Sequence, residues 1–258
     1  MPSWPTATNW PTGVNWPTGV NWPTGVNWPG GGSGPPPPIT PGTILGSPPQ
    51  WWLDGSAGTL VDAGAGVCSQ WSDSSGAAIH FTFSGAARPL IIAGGRNGKD
   101  TLRFTPAQTG GNATFAAPAP GTTPSYFFAI AKPVTLPSPG VILGRGPGNN
   151  TYIAGADSLQ DANPSPGPIS TPLIANTWYR IEWLETNQPT DFVQTNGLPG
   201  GSINNAGNAS SLGVYLNATA GGAANGNWEY AEIFQWFGVP TGAQRADLAA
   251  YALAKWLV

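Results

Sequence analysis

From about residue 50 onward, apolar and polar residues alternate in short segments, the pattern that predicts β-strands with one buried face. In residues 177–185, Tyr179, Ile181 and Trp183 share one face, and the positions between them are mostly polar or charged. Clusters of Gly, Pro and Asn separate the segments, and Asn196-Gly197 is a strong hairpin signal. We therefore predict strands at residues 78–83, 89–92, 101–105, 125–132, 177–185, 191–195, 212–217 and 228–237.

The last seventeen or so residues have helical instead of strand periodicity. Residues 242–256 contain no Pro, and Thr241 is placed to cap a helix there. The apolar positions recur at spacings of three and four and would lie on the sandwich: Leu248, Ala249, Ala252, Leu253 and Trp256. The predicted fold is all-β, an antiparallel β-sandwich (jelly roll) of roughly a dozen strands with one C-terminal helix.

The N-terminal segment follows a third pattern, a hexapeptide repeat. Asn-Trp-Pro-Thr-Gly-Val occupies residues 9–14, 15–20 and 21–26, and a truncated copy follows. Proline excludes a regular helix, and an uncharged indole gains by burial. We predict that residues 1–34 are an extended tail that binds a partner through its tryptophans or stacks them against copies of itself; the alternative is a low-complexity tail without a specific partner. The tryptophans concerned are Trp4, Trp10, Trp16, Trp22 and Trp28.

Composition separates this tail from the rest of the chain. Residues 35–49 are a Pro-rich linker, and residues 50–258 form the predicted domain. The 13 Trp, 6 Tyr and 9 Phe are more than a disordered chain carries. Only 9 Lys and Arg with a net charge of −3 argue against nucleic-acid binding. No apolar run is long enough to span a bilayer, so no membrane partner is expected.

The cellular setting is inferred from the same composition. Residues 1–30 lack the basic and apolar regions of a secretory signal, although Gly, Ala, Thr, Asn and Pro dominate the chain as they do in outer-surface proteins. A protein made in a host cytoplasm and displayed on a virion surface fits both observations. We therefore expect a virion location.

Motifs at both ends of the domain resemble a known family. Trp51-Trp52-Leu53-Asp54 opens the domain, residues 67–76 read Val-Cys-Ser-Gln-Trp-Ser-Asp-Ser-Ser-Gly, and the end contains Tyr251 and Lys255-Trp256-Leu257. This pattern resembles the concanavalin A-like (laminin-G-like) jelly-roll domains of bacteriophage virions and bacterial surface proteins. The resemblance implies a jelly roll over residues 50–258 and a decoration, fibre or adhesion role, with glycan or calcium binding in some members.

Catalytic chemistry has weak support in the sequence. Related glucanases use a Glu-x-Asp-x-x-Glu strand, and the nearest segment here contains Glu229 and Glu232. Because residues three apart in a strand point to opposite faces, these carboxylates are not expected to act as a pair. His80, the only His, is expected to be structural or on the surface, and Cys68 to be a small buried side chain.

Metal binding is restricted by the available ligands. The absence of a Cys/His cluster excludes zinc, whereas calcium needs six to eight oxygen ligands. Asp54, Asp62 and Asp73 are candidates only if the fold brings them together, and Asp73 is expected instead to accept backbone hydrogen bonds within the turn at residues 72–76. Asp157 and Asp161 are a second pair of candidates, with solvated loop residues as the alternative.

A glycan site would need an exposed aromatic platform surrounded by polar groups. Trp178, Trp228 and Trp236 are candidates, although most tryptophans of a sandwich belong to its core. Asn-rich loops fit both turns and sugar contacts. The sequence does not separate these alternatives.

Together these observations predict a non-enzymatic virion structural protein without a catalytic site. Its tail would attach to a capsid or tail component, and its jelly roll would be displayed as a decoration or fibre head in a homo-oligomer, with a trimer as the first expectation for a fibre. The second hypothesis is a carbohydrate-binding adhesin or receptor-binding protein that holds a host or environmental glycan. The third is a glycoside hydrolase, which requires two facing carboxylates in a cleft.

Overall fold

The structure is a computed structural model that describes residues 38–83, 88–105, 111–113, 124–136, 140–145, 151–154, 159–161, 172–185, 191–198, 202–203, 214–216 and 226–258. The compact unit runs from Ile39 to Val258. It therefore includes residues 39–49, which the sequence analysis placed in the linker. The repeat tail with its five tryptophans lies outside the described residues.

The described part contains sixteen strands, two α-helices and one 3-10 helix (Gly55–Ala57). The α-helices are α1 (Pro41–Leu45) and α2 (Gly242–Trp256). The strands are β1 (Trp51–Asp54), β2 (Leu60–Asp62), β3 (Cys68–Trp71), β4 (Phe81–Thr82), β5 (Leu90–Arg96), β6 (Lys99–Arg103), β7 (Gly111–Ala113), β8 (Ser125–Pro133), β9 (Gly140–Arg145), β10 (Thr151–Ala154), β11 (Leu159–Asp161), β12 (Tyr179–Glu185), β13 (Asp191–Thr195), β14 (Ser202–Ile203), β15 (Val214–Leu216) and β16 (Trp228–Phe237).

The strands form two antiparallel sheets. Sheet A has the order β14-β13-β12-β8-β16-β6-β5, and β1 pairs with the second half of β16, beyond the two residues that pair with β6. Sheet B has the order β11-β10-β9-β15-β7-β4-β3-β2. Many strands that are neighbours in a sheet are far apart in the sequence. This is typical of sandwiches, in which long connections carry the chain from one sheet to the other. The predicted all-β sandwich with a C-terminal helix is confirmed.

The main core lies between the two sheets. Trp51 and Phe127 of sheet A and Phe81 of sheet B are fully buried there, with the Trp51 and Phe81 ring centroids 5.1 Å apart. The predicted alternation of β12 is confirmed, because Tyr179, Ile181 and Trp183 all belong to this core. We call the opposite face of each sheet its outer face.

A second core lies on the outer face of sheet A, beneath α2. It contains Phe128 and Phe234, whose rings stack 5.0 Å apart, together with Leu248, Ala252 and Trp256 of the helix. The predicted helix is confirmed over its whole length, and Thr241 caps it by accepting a hydrogen bond from the Gln244 amide at 3.2 Å. The prediction that Leu253 lies on the sandwich is wrong, because this side chain is 60% exposed. Gln244 also donates to carbonyl groups of α1, which links the two helices.

The β5–β6 hairpin holds the other end of α2. Asn97 and Gly98 turn the hairpin with φ of 49° and 70°, a left-handed conformation that suits this residue pair. The Arg96 Nε donates to the Trp256 carbonyl at 2.5 Å, its second guanidinium nitrogen donates to the Leu257 carbonyl, and Asn97 donates to the Lys255 carbonyl at 2.9 Å. A cation therefore satisfies the free carbonyl groups at the helix C-terminus, where the helix dipole is negative.

Candidate functional site

Three buried glutamates lie on the outer face of sheet A. Glu229 and Glu232 on β16 are fully buried, and Glu182 on β12 is 1% exposed. A carboxylate without water is strongly unfavourable unless it is ion-paired and hydrogen-bonded. Each of the three has both kinds of partner, as follows.

Glu232 is surrounded by hydrogen-bond donors from the two ends of the domain. Its Oε1 accepts from the Trp52 indole at 2.5 Å and from the Tyr251 hydroxyl at 2.6 Å. Its Oε2 accepts from the Trp256 indole and lies 3.3 Å from the Lys255 ammonium group. Burial raises the pKa of this carboxyl, and the nearby lysine opposes the rise.

Lys255 is the cation at the centre of this cluster. Its Nζ lies 2.8 Å from Asp54 and 5.1–5.2 Å from the ring centroids of Trp52, Tyr251 and Trp256. An ammonium group that faces aromatic rings and carboxylates is well stabilised. The two motifs behind the family resemblance, one at each end of the domain, thus meet in a single cluster that attaches α2 to the sandwich.

Glu229 forms a second cluster nearby. It accepts hydrogen bonds from Thr101 at 2.6 Å and from two nitrogens of Arg103 at 2.9 and 2.6 Å, and the Lys132 ammonium group lies 3.3 Å away. Lys132 also lies over the ring of Trp178, 4.9 Å from its centroid.

The structure corrects the prediction that Glu229 and Glu232 point to opposite faces. The register of β16 against β8 shifts between Tyr230 and Glu232, so Ala231 is the extra residue of a β-bulge. Both glutamates consequently lie on the outer face of sheet A. They nevertheless have separate cations and are buried, so the shared face does not make them a carboxylate pair in an open cleft.

Glu182 forms the third cluster, at the N-terminal half of α2. It accepts hydrogen bonds from Tyr126 at 2.8 Å, Arg180 at 2.9 Å and Arg245 of the helix at 3.0 Å. Arg245 also donates to Gln194 and lies 4.4 Å from the centroid of the Phe192 ring. Burial raises the pKa of the Tyr126 hydroxyl well above its ordinary value, so this group stays protonated and donates to the carboxylate.

The three clusters and the two α-helices cover the middle of the outer face of sheet A. With α2, α1 and the paired charges in place, the middle of the outer face of sheet A is occupied by the chain itself. The outer face of sheet B is different. Within the described residues, no helix packs against it.

A row of directly paired residues crosses the outer face of sheet B. Thr82 is exposed, Gln70 is half-buried, and their neighbours Phe81 and Trp71 point into the core. Directly paired residues lie on the same face, so the row can be followed from strand to strand by its register. Its members, from β2 to β10, are Val61, Gln70, Thr82, Asn112, Tyr215, Gly144 and Thr151. We call this set the sheet B row; it contains no acidic or basic residue.

The three tryptophans predicted as candidate glycan platforms lie in different surroundings. Trp228 is fully buried in the main core. Trp178 is half-buried, and its ring is contacted by Lys132 and by Arg96, whose guanidinium carbon is 5.9 Å from the centroid. Trp236 is half-buried, and its indole donates to the Ser47 hydroxyl at 2.9 Å. None of the three is a free platform. The sequence analysis did not find the sheet B row, because each of its residues comes from a different strand.

The aspartates considered for calcium each have local partners. Asp62 accepts backbone hydrogen bonds from Gly64 and Gly66, and Asp54 pairs with Lys255. Asp73 accepts from the Trp52, Ser75 and Ile79 amides, which confirms its predicted role in the turn. No group of three or more His, Cys, Asp or Glu that could hold a metal occurs among the described residues. Asp157 lies outside them, and only the backbone of Asp161 is described.

His80 and Cys68 follow the expectations from sequence. His80 is exposed, and its Nδ1 accepts from the Asp73 amide at 3.0 Å. Cys68 is fully buried with a free thiol, and burial raises its pKa to about 11. No helix in the described part of the chain is long and apolar enough to cross a membrane.

Comparisons with known proteins identify the fold class. No protein-family model and no curated protein sequence matches the chain. Domain 4 of AbnA, a GH43 extracellular arabinanase from Geobacillus stearothermophilus, in complex with arabinotriose, is similar with a TM-score of 0.58 and 14% identity, over 78% of this chain and 98% of that one. A GH54 α-L-arabinofuranosidase soaked with a cyclic sulfate inhibitor has a TM-score of 0.54 and 12% identity, over 73% and 51%.

Trypanosoma rangeli sialidase in complex with sialic acid is also similar. Its TM-score is 0.55 at 14% identity, over 79% of this chain, and the chain spans about a third of the sialidase, 33%. At these identities the likenesses show the fold, a β-sandwich that also occurs in carbohydrate-active enzymes. The prediction of a non-enzymatic virion structural protein is wrong, because the similar structures belong to glycoside hydrolases.

Replacing Lys255 tests the cluster beneath α2. The Lys255→Met variant keeps the aliphatic stem but leaves Asp54 and Glu232 without their cation, so we expect a loss of about 3 kcal/mol in the free energy of unfolding. Urea denaturation followed by tryptophan fluorescence measures it. Lys99→Met is the matched control, because Lys99 has no ion pair among those of the described residues, and it should change stability by less than about 0.5 kcal/mol. Equal losses in the two variants would contradict the assignment.

Alkylation of Cys68 tests the burial of its thiol. Because the thiolate is the reactive form and the pKa is raised to about 11, iodoacetamide at pH 8 should modify the native protein far more slowly than the chain unfolded in guanidinium. The rate should increase as the pH approaches 11. Mass spectrometry follows the reaction, and rapid modification of the folded protein at pH 8 would show that the thiol is accessible.

Proposed function

We propose that residues 39–258 form a carbohydrate-binding β-sandwich domain of the concanavalin A-like (laminin-G-like) type, with a neutral oligosaccharide as its ligand. The observation that carries this proposal is the likeness to domain 4 of the arabinanase, which spans nearly all of that domain and whose structure contains arabinotriose. The arabinofuranosidase and sialidase likenesses point to the same substrate class, carbohydrates.

The chemistry of the domain supports this ligand class. Neutral sugars are recognised through hydroxyl and amide groups together with an aromatic ring, and the sheet B row contains Gln70, Thr82, Asn112 and Tyr215. The charged side chains on the outer face of sheet A are used for internal pairing. The described end of the row, where Thr82 is exposed and Gln70 is half-buried, therefore suits an uncharged ligand better than an ionic one.

The repeat tail has a separate proposed role. Burial of an indole contributes roughly 1.5–3 kcal/mol, and several tryptophans in one tail would add avidity. We propose that Trp4, Trp10, Trp16, Trp22 and Trp28 associate with the tails of other copies and make the protein a homo-oligomer. Their regular spacing and the absence of any charged residue before Asp54 support this proposal.

Glycan binding by the full chain tests the first proposal. We expect saturable binding to neutral oligosaccharides on a glycan array, followed by titration calorimetry with arabinotriose. A ligand of this size has a ceiling of about 0.3 kcal/mol per non-hydrogen atom, which limits its Kd to about 1 µM or weaker. Hydrolysis of each bound sugar is measured in parallel, since the similar structures are enzymes. Absence of binding to every neutral sugar, or binding of acidic sugars alone, would refute the proposal.

Sedimentation of the full chain tests the second proposal. Replacing all five tail tryptophans by alanine should convert an oligomer into a monomer, because the apolar surface shared between copies is removed. The matched control replaces Val14, Val20 and Val26 by alanine, which keeps every indole and should leave the oligomer largely intact. A wild-type monomer, or an oligomer that survives the loss of all five indoles, would contradict the proposal.

A further inference from the structure

The cluster around Lys255 contains the groups that an amide bond between two side chains requires. We propose that Lys255 and Asp54 condense to a covalent isopeptide bond, with Glu232 as the group that transfers the protons. The bond links α2 to β1, and the ion pair described above is the state before the reaction. This inference is independent of the proposed carbohydrate binding.

The first step is the position of the amine and the carboxyl group. The Lys255 Nζ lies 2.8 Å from the Asp54 Oδ2, and the two side chains are only 15% and 6% exposed. Reacting groups that a protein holds in contact behave as if they were at a very high concentration. This proximity compensates for the low reactivity of a carboxyl group towards an amine.

The second step is the activation of the Asp54 carboxyl group. Its Oδ1 accepts hydrogen bonds from the Ser56 amide at 2.9 Å and from the Ser56 hydroxyl at 2.7 Å. Two donors on one oxygen stabilise the negative charge that develops there when an amine adds to the carboxyl carbon. The other oxygen, Oδ2, faces the amine and is the one that leaves.

The third step is proton transfer by Glu232. Its Oε2 lies 3.3 Å from the Lys255 Nζ, and its side chain has no exposed surface. Burial raises the pKa of this carboxyl despite the nearby lysine, so it accepts a proton more readily than an exposed glutamate would. Among the ion pairs of the described residues, Lys255 is the only lysine that contacts two carboxylates.

Aromatic side chains enclose the reacting groups. The ring centroids of Trp52, Tyr251 and Trp256 lie 5.1–5.2 Å from the Lys255 Nζ. Rings in these positions keep bulk water away from the amine and the carboxyl groups. The same three residues donate hydrogen bonds to Glu232, and these bonds remain when Lys255 has lost its charge.

The reaction balances without an outside reagent. The Lys255 ammonium group gives one proton to Glu232, and the neutral amine forms a bond to the Asp54 Cγ. The Cγ–Oδ2 bond then breaks, and Oδ2 leaves as water with the proton from Glu232 and a second proton from the nitrogen. One ammonium group and one carboxylate thus become one amide and one water, and Glu232 is regenerated.

Mass spectrometry of the full chain, purified and kept overnight at pH 7, tests this inference. We expect an intact mass about 18 Da below that of the sequence, because one water is lost. Trypsin cleaves after Lys and Arg except before Pro, so it should release residues 1–96 joined to residues 246–258, without cleavage after Lys255. A full intact mass together with a free peptide of residues 246–255 would overturn the proposal.

The peptide map also excludes a different loss of water. Asp54 is followed by Gly55, and an Asp-Gly pair loses water when it cyclises to a succinimide. That product has the same intact mass but leaves residues 246–255 unlinked. A loss of water without the linked peptides would therefore overturn the proposal as well.

Two variants test the roles of the reacting groups. Lys255→Arg keeps the cation but replaces the amine by a guanidinium group that stays charged, and Glu232→Gln keeps the shape but cannot accept the proton. Both should have the full intact mass. Lys99→Arg is the matched control, the same exchange at another lysine, and should keep the loss of water.

Circular dichroism checks the fold of each variant. If Glu232→Gln does not fold, the peptide maps of the wild type and Lys255→Arg decide the question. A cross-link that persists in folded Glu232→Gln would overturn the role of Glu232. With the cross-link, the loss of stability in Lys255→Met exceeds that of the ion pair alone, because a link between positions 201 residues apart also constrains the unfolded chain.

Discussion

The need to compensate buried carboxylates governs how sheet A is built. Glu182, Glu229 and Glu232 are removed from water on one face of one sheet. In such surroundings an unpaired carboxylate would be far less stable than in water, and only close cations and several donated hydrogen bonds restore the balance. Arg245 and Lys255 come from α2, so the helix is an electrostatic requirement of the sheet as well as a cover for its apolar residues.

This requirement gives the outer faces of the two sheets a different distribution of charged side chains. The chain has few charged residues, 8% of its length, and many of its cations lie on the outer face of sheet A. The sheet B row is correspondingly free of charge. Because many of the ionic groups attach the helix to sheet A, few charges remain for the rest of the surface.

Local patterns predicted the elements whose determinants lie within a few residues. The helix follows from the spacing of Leu248, Ala252 and Trp256 and from the cap at Thr241, and the structure has it at the predicted bounds. The alternation of β12 likewise gave its buried face correctly. The bulge at Ala231 was missed, because an extra residue in a strand is defined by pairing with β8, about a hundred residues away, and strict alternation then assigns Glu232 to the wrong face.

The sequence distance between partners also explains why the conspicuous motifs and the candidate site differ. The Trp-x-Asp and Tyr-x-x-x-Lys-Trp segments stand out because several of their residues act together, and the Lys255–Asp54 contact joins positions 201 residues apart. Their role is to close the fold. The sheet B row takes a single residue from each strand, so no segment contains a motif for it. Such a row is defined by the strand register, which arises only when the whole sheet has formed.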